Sequence, residues 1–276
     1  MKKAEKGYLI IIGGAEDKKG DSSILKEAAQ MLKPGGKLTI LTTATEHPDE
    51  AGSEYRSVFS RLGVQTIDVL NIQTRDDSNS GSFCSLIDSS CCIFFTGGDQ
   101  LRITSILGGT RVHESLKKLY LEGGIITGTS AGASAMSSIM VVQGNDNEPA
   151  RKCTLKMAPG LGLLDHCIID QHFDQRGRFG RLLCGVAENP DTLGIGIDEN
   201  TAVKVFPDGH FEILGGNAVT VIDGKTIKSS NVAELKQNEL LMITGVKVHV
   251  LPFGYGFDMA KREVIRLKQD NNKQET

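Results

Sequence analysis

The chain has 276 residues, 39% of them hydrophobic and 24% charged, with no tryptophan and a formal net charge of -3. That length can bury a substantial core, while the slightly acidic balance argues against a polyanion such as nucleic acid as partner. The charged start, Met1 to Lys6, lacks the apolar stretch of a signal peptide and no apolar run could span a bilayer, so a cytoplasmic protein free of the membrane is expected.

The apolar run Tyr8 to Ile12 predicts a buried strand ending at Gly13-Gly14. A helix follows from Asp21 or Ser22 through Leu32, with Ile24, Leu25, Ala28, Ala29 and Leu32 on one face. Lys37 to Leu41 predicts the next strand, Glu50 to Leu62 a helix, Val64 to Leu70 a third strand and Cys91 to Phe95 a fourth, closed by Gly97-Gly98. Helices are expected from Asp99 to Leu107 and from Val112 to Leu121, then a strand over Gly124 to Thr127 and a helix after Ser130.

Apolar strands alternating with helices belong in a parallel sheet covered on both faces, so the first half reads as a doubly wound α/β fold. Beyond about residue 190 the texture changes to short strands: Leu193 to Asp198, Ala202 to Phe206, Phe211 to Leu214 and Val219 to Ile222. With Asp208-Gly209 and Asp223-Gly224 as turns, these predict antiparallel hairpins extending the same sheet system. A late strand is expected over Val246 to Leu251, a terminal helix over Met259 to Lys268, and a polar tail from Gln269, within one domain spanning the chain.

The 32 glycines fall mostly at the ends of apolar runs, where tight strand-to-helix turns are needed. The cysteines (Cys84, Cys91, Cys92, Cys153, Cys167 and Cys184) show no paired ligand spacing and are expected as reduced thiols, with no metal site.

Gly128-Thr129-Ser130-Ala131-Gly132 matches G-x-S-x-G between a buried strand and a helix. In that setting Ser130 reads as a nucleophile on a tight elbow, with small neighbours and the Ala131 N–H facing the place where an oxyanion forms. The alternatives are a plain Gly-Ser turn or a phosphate loop, though no Gly-Lys-Ser/Thr ending is present. Gly98, at the carboxyl end of the fourth strand, is the candidate second oxyanion donor, or else part of a simple helix-opening turn.

Among six histidines, His172 ends the buried strand Cys167 to Asp170 and sits among Asp170, Gln171, Asp174, Arg176, Arg178 and Arg181. That polar crowd after a buried strand suits the edge of a site, and His172 reads as the general base. Asp170, Asp174, Glu148 and Glu199 all remain open as the third member, because triads occur in several chain orders. Arg178 and Arg181 are three residues apart and would share a helix face, either lining a pocket or facing solvent.

Gly-Thr-Ser-Ala-Gly-Ala-Ser around Ser130, Asp170-Gln171-His172-Phe173 with Arg176, Gly177, Arg178 and Arg181, and Gly196-Ile197-Asp198-Glu199-Asn200-Thr201-Ala202 together resemble the cyanophycinases. These belong to the serine peptidase family that also includes peptidase E. The resemblance runs from about Gly7 to Gly224. It implies a fold like class I glutamine amidotransferases, and hydrolysis of cyanophycin (multi-L-arginyl-poly-L-aspartate) to β-Asp-Arg dipeptides without metal or organic cofactor, often by a homodimer. By the same resemblance Ser130 is the nucleophile, His172 the base, and Glu148 or Glu199 the acid. Gln100, Asp170, Gln171, Arg176, Arg178 and Arg181 match the polar substrate pocket. A serine dipeptidase acting on Asp-X or isoaspartyl dipeptides, and a non-catalytic protein of the same fold, are the competing readings.

Overall fold

The computed structural model describes residues 6–152 and 155–267. Its first half contains β1 (Tyr8–Ile12), α1 (Ser23–Gln30), β2 (Lys37–Leu41), α2 (Pro48–Arg61), β3 (Thr66–Leu70), α3 (Arg75–Asn79), α4 (Gly81–Asp88), β4 (Cys92–Phe95), α5 (Gln100–Leu107), α6 (Arg111–Leu121) and β5 (Ile125–Thr129). The one-turn helix α7 (Ala131–Ser134) leads to β6 (Ser137–Gln143), β7 (Lys156–Pro159), β8 (Leu164–Gln171), α8 (Phe179–Glu188) and β9 (Leu193–Ile197). Eight strands complete the described chain: β10 (Thr201–Val205), β11 (His210–Gly215), β12 (Ala218–Asp223), β13 (Ser229–Ser230), β14 (Ile243–Thr244), β15 (Lys247–Pro252), β16 (Tyr255–Asp258) and β17 (Glu263–Arg266).

The nine-stranded sheet runs β17-β16-β11-β10-β1-β5-β4-β2-β3, parallel from β1 to β3 and antiparallel from β10 to β17. Side chains alternate across it as a two-residue period requires. Ile10, Ile12, Leu38, Ile40 and Phe94 pack under α1 and α2 through Ile24, Leu25, Tyr55 and Phe59. Leu9, Ile11, Ile93, Phe95 and Ile126 face the other way, against α4, α5 and α6. Phe59 meets Phe94 edge to face with ring centroids 5.3 Å apart, a geometry that adds about 0.5–1.5 kcal/mol beyond burial. The sheet is thus doubly wound.

A second sheet, β15-β12-β9-β8-β6-β7, packs on the first. Ile169, Ile195, Ile197, Val219 and Val221 share one buried cluster with Ile11, Ile126, Val203 and Phe211. Its outer face carries α8, through Leu182 and Val186 against Ile168 and Ile222. The predicted hairpin strands therefore divide between two sheets, β10 and β11 joining the first while β9 and β12 join the second.

Asp208-Gly209 does turn β10 into β11, with Gly209 at φ 89. Asp223-Gly224 does not make a hairpin: it opens a 3-10 turn whose Lys225 N–H is accepted by the Asp223 side chain. The helix expected over Met259 to Lys268 is also absent. Arg262 at φ 58 closes a turn, and the β-branched pair Val264-Ile265 belongs to β17, hairpinned on β16; Lys268 and the tail from Gln269 lie outside the described residues. The helix after Ser130 is a single turn, because the chain becomes β6 from Ser137. Among the described residues no helix is long and apolar enough to cross a membrane. The described cysteines, Cys84, Cys91, Cys92, Cys167 and Cys184, are free, with Cys91 exposed.

Candidate active site

Ser130 leaves β5 at φ 52, ψ -110, a conformation that costs a non-glycine residue about 1–3 kcal/mol. It persists because its surroundings fix it. The Ser130 N–H donates to Ile12 O at 3.0 Å, and its carbonyl accepts from the N–H groups of Ala133 and Ser134. No side chain fits the flanking glycines, since a Cβ on Gly132 would lie 2.6 Å from that of Phe95, and one on Gly128 would lie 2.8 Å from the Met136 methyl. The Ser130 Oγ is thereby held 3.0 Å from His172 Nε2 and 3.4 Å from Gln171 Oε1.

His172 follows β8 with φ 47, its N–H donating to Gly13 O at 2.8 Å. The ring Nδ1 lies 2.6 Å from Glu199 Oε1. The His172 side chain is 12% exposed and that of Glu199 35%. Burial pulls the His172 pKa below its ordinary value, the Glu199 hydrogen bond opposes that, and the Arg176 and Arg178 charges add to the depression. The imidazole is consequently neutral near pH 7, able to accept the serine proton at Nε2 while Nδ1–H donates to the carboxylate.

Glu199 lies where the chain passes from β9 in the second sheet to β10 in the first. Its N–H is accepted by Gln175 Oε1 at 2.9 Å, and its carbonyl accepts from Asn217 Nδ2 at 2.8 Å. Glu148 stands apart, exposed in the loop 144–150, where its backbone packs on Gly180. Asp174 is exposed, and its N–H donates to Asp198 Oδ1. Of the four candidate acids, the carboxylate brought to the histidine is that of Glu199.

Both segments that hold a proposed oxyanion donor come close to the serine, the second through Gly97 and not Gly98 itself. Ala131 opens the helical turn directly after Ser130, and Gly97 approaches so closely that a Cβ there would lie 3.6 Å from Ser130 Cβ. Gly98, the next residue, has φ 142, and a Cβ on it would strike Ala44 O at 2.1 Å. A cavity of about 610 Å³ beside Gly98 is lined by Glu46, His47, Asp99, Leu101 and Arg102 among others.

The other candidate residues form a tighter structure than a row of free pocket side chains. Asp170 is 1% exposed and accepts from Arg181 Nε at 2.6 Å and from Arg181 Nη2, with Arg178 Nη1 at 3.5 Å. Arg178 also donates to Gln171 O at 2.6 Å and to Asp146 Oδ1 at 2.9 Å, and Arg181 reaches the same Asp146 oxygen at 3.1 Å. Gln100 donates through Nε2 to Val141 O and Val142 O, tying α5 to β6. Arg176 is the exposed arginine of the three.

Sequence reasoning overlooked the segment after β1. Ile12 O, Gly13 O and Gly14 O accept, in turn, from the N–H groups of Ser130, His172 and Asn200. Gly14, at φ 102, leaves space that the His172 ring fills. The signal was present in Gly13-Gly14 at the carboxyl end of a buried strand, the edge where α/β sheets gather their sites.

The pattern of peptidase family S51 matches residues 9–214. The chain belongs to that family. This S51 peptidase is 35% identical over 265 residues to the cyanophycinase of Trichormus variabilis, covering 95% of this chain and 89% of that one. It is 34% identical over 263 residues to the cyanophycinase of Synechococcus elongatus, covering 94% and 81%. A crystal structure of a peptidase from an acI-B1 actinobacterium superposes with a TM-score of 0.65 at 20% identity, covering 96% of this S51 peptidase and 98% of its own chain, a likeness of fold.

Proposed function

We propose that this S51 peptidase is an exo-acting cyanophycinase that hydrolyses multi-L-arginyl-poly-L-aspartate to β-Asp-Arg dipeptides. The chemistry rests on one observation, the relay from Ser130 Oγ to His172 Nε2 at 3.0 Å and from His172 Nδ1 to Glu199 Oε1 at 2.6 Å. The substrate is inferred from the cyanophycinases that match nearly the whole chain.

Ser130 Oγ attacks the scissile carbonyl carbon as its proton passes to His172 Nε2. The N–H groups of Ala131 and Gly98 hold the resulting oxyanion. Collapse of that intermediate breaks the C–N bond, and the leaving amine takes the proton from His172. Water then attacks the acyl-enzyme, giving its proton to His172, and release of the free acid returns that proton to Ser130. Glu199 keeps the ring in the required tautomer and stabilises the imidazolium. No step calls on a metal or organic cofactor.

An isoaspartyl unit carries a free α-carboxylate beside the scissile amide, and exposed Arg176 is suited to grip it. Arg178, Arg181 and Asp170 support the substrate side as a buried network tied to Gln171, with Gln171 and Gln100 as polar groups for the substrate. The cavity beside Gly98 combines Leu101 with the exposed carboxylates of Glu46 and Asp99, a pairing suited to the stem and head of a substrate arginine. The whole chain acts as one domain, and cytoplasmic location suits its free thiols. A homodimer is favoured by the apolar side chains of Val248 and Val250 on the outermost strand of the second sheet, 44% and 63% exposed.

The decisive experiment offers the purified protein β-Asp-Arg oligomers in competition with α-linked peptides of the same composition, with products identified by mass. Release of β-Asp-Arg from the first alone is expected. Comparable cleavage of both would make the protein a broader peptidase, and cleavage of neither would remove the substrate assignment.

A further inference from the structure

Bound to the residue just before the nucleophile sits a carboxylate that the hydrolytic relay does not use. Glu16 is 5% exposed. Its Oε2 accepts from Thr129 Oγ1 and its Oε1 from Tyr55 OH, each at 2.5 Å. Thr129 immediately precedes Ser130 and is itself 3% exposed. Tyr55 belongs to α2, and burial together with the Glu16 charge pushes its pKa well above the ordinary value, keeping the phenol protonated as a donor.

Glu16 also belongs to the stretch that holds Ser130, His172 and Asn200, the residue after Glu199. Ile12, Gly13 and Gly14 present their carbonyls to Ser130, His172 and Asn200, and Asp17 N–H donates to Asn200 Oδ1 at 3.0 Å. Four non-glycine residues at this junction have positive φ: Ala15 at 47, Ser130 at 52, His172 at 47 and Asn200 at 49. Such conformations survive only where neighbours over-determine them. A buried carboxyl group that accepts one hydroxyl at each oxygen is a strong local fixative, because the two hydrogen bonds fix both its position and its plane.

We infer that Glu16 is a positioning residue for catalysis: it clamps the 12–17 segment to Thr129 and α2, and so sets the Ser130 elbow and the carbonyls on which His172 and Asn200 hang. This rests on the reading of Ser130 as nucleophile. The role is one of hydrogen-bond geometry rather than charge. A glutamine can reproduce it, its carbonyl accepting from one hydroxyl and its amide donating to the other oxygen. An alanine leaves both hydroxyls buried without that partner.

The test compares the parent with Glu16→Ala, Glu16→Gln and Thr129→Val, the last removing one clamp bond at nearly constant shape. Each variant is shown to melt cooperatively. The rate of Ser130 labelling by a fluorophosphonate is then measured, along with kcat and KM on β-Asp-Arg oligomers. Expected are a loss of about 10–100-fold in labelling rate and kcat for Glu16→Ala, about tenfold for Thr129→Val, KM within about twofold, and recovery to within a few-fold of the parent in Glu16→Gln. Parental labelling and kcat in Thr129→Val would overturn the inference even if Glu16→Ala fails to fold. So would a Glu16→Gln variant as impaired as a folded Glu16→Ala, since charge and not geometry would then matter. A parent that is not labelled at Ser130 would sink the nucleophile assignment itself, a different failure with a different signature.

Discussion

A Cβ added to Gly14 would lie 2.4 Å from Cε1 and 2.5 Å from Nε2 of His172, so the imidazole occupies the space that a side chain at position 14 would need. Gly14→Ala is therefore expected to displace the base and to lower kcat by about a hundredfold, as ångström-scale misplacement of a catalytic group does. Gly35→Ala supplies the control, since Gly35 also has positive φ, at 76, but meets nothing within 4 Å. It should lose some stability and keep the turnover of the folded protein. Equal turnover losses in the two variants would mean that backbone strain, not contact with His172, is responsible.

Ser130→Ala should retain a parental melting temperature within a few degrees and lose turnover by about a millionfold. The measurement is product release from β-Asp-Arg oligomers by protein free of contaminating peptidase. Activity within tenfold of the parent would remove Ser130 from the mechanism.

Glu199→Gln should lower kcat by about ten-thousandfold, because an amide beside Nδ1 favours the wrong tautomer of His172. Glu148→Gln, changed in an exposed loop, should stay within a few-fold of the parent. The reverse order would require the 144–150 loop to reorganise on substrate binding.

The pH dependence has a definite sign. Because the His172 pKa is lowered, the protonated, inactive form is lost as pH rises through a value below the ordinary 6.5, and kcat/KM should reach its plateau by neutrality. Arg176→Ala removes a positive charge that favours the neutral ring, so the acid limb should move to higher pH. A limb that stays in place would show that Arg176 does not act on the base.

Arg181→Ala and Arg176→Ala should fail in different ways. The first strips Asp170 of its main partner in a buried pair, a change that typically costs about 3–5 kcal/mol, and should be read as a lowered melting temperature. The second, at an exposed position, should leave the melt intact and raise KM for substrates with an isoaspartyl carboxylate. A raised KM with normal stability in Arg181→Ala would return that guanidinium to the list of substrate ligands.

Strands such as Tyr8–Ile12 and Cys92–Phe95 were readable because a parallel strand buried on both faces leaves an unbroken apolar run. Ser130 and His172 stood out by local context, a glycine-framed elbow and a polar cluster closing a buried strand. The choice between Glu148 and Glu199 was not readable, since it depends on which carboxylate folds back 27 residues to meet Nδ1. Nor was the pairing of Arg181 with Asp170 and Asp146, 11 and 35 residues away, which turns three apparent pocket charges into a buried network. Val264-Ile265 was misassigned because four residues of apolar and charged character carry no decisive period, and the strand exists only by pairing with β16.

Ser130 hangs from the first sheet, His172 from the second, and Glu199 lies on the bend that joins them. The order of synthesis then matters. A nascent chain that has emerged through His172 already owns its serine and histidine, yet lacks Glu199 and the strand β10 that docks against β1. The Ser130–His172–Glu199 arrangement is thus a product of the whole fold, completed only when the chain beyond β9 closes the two layers upon each other.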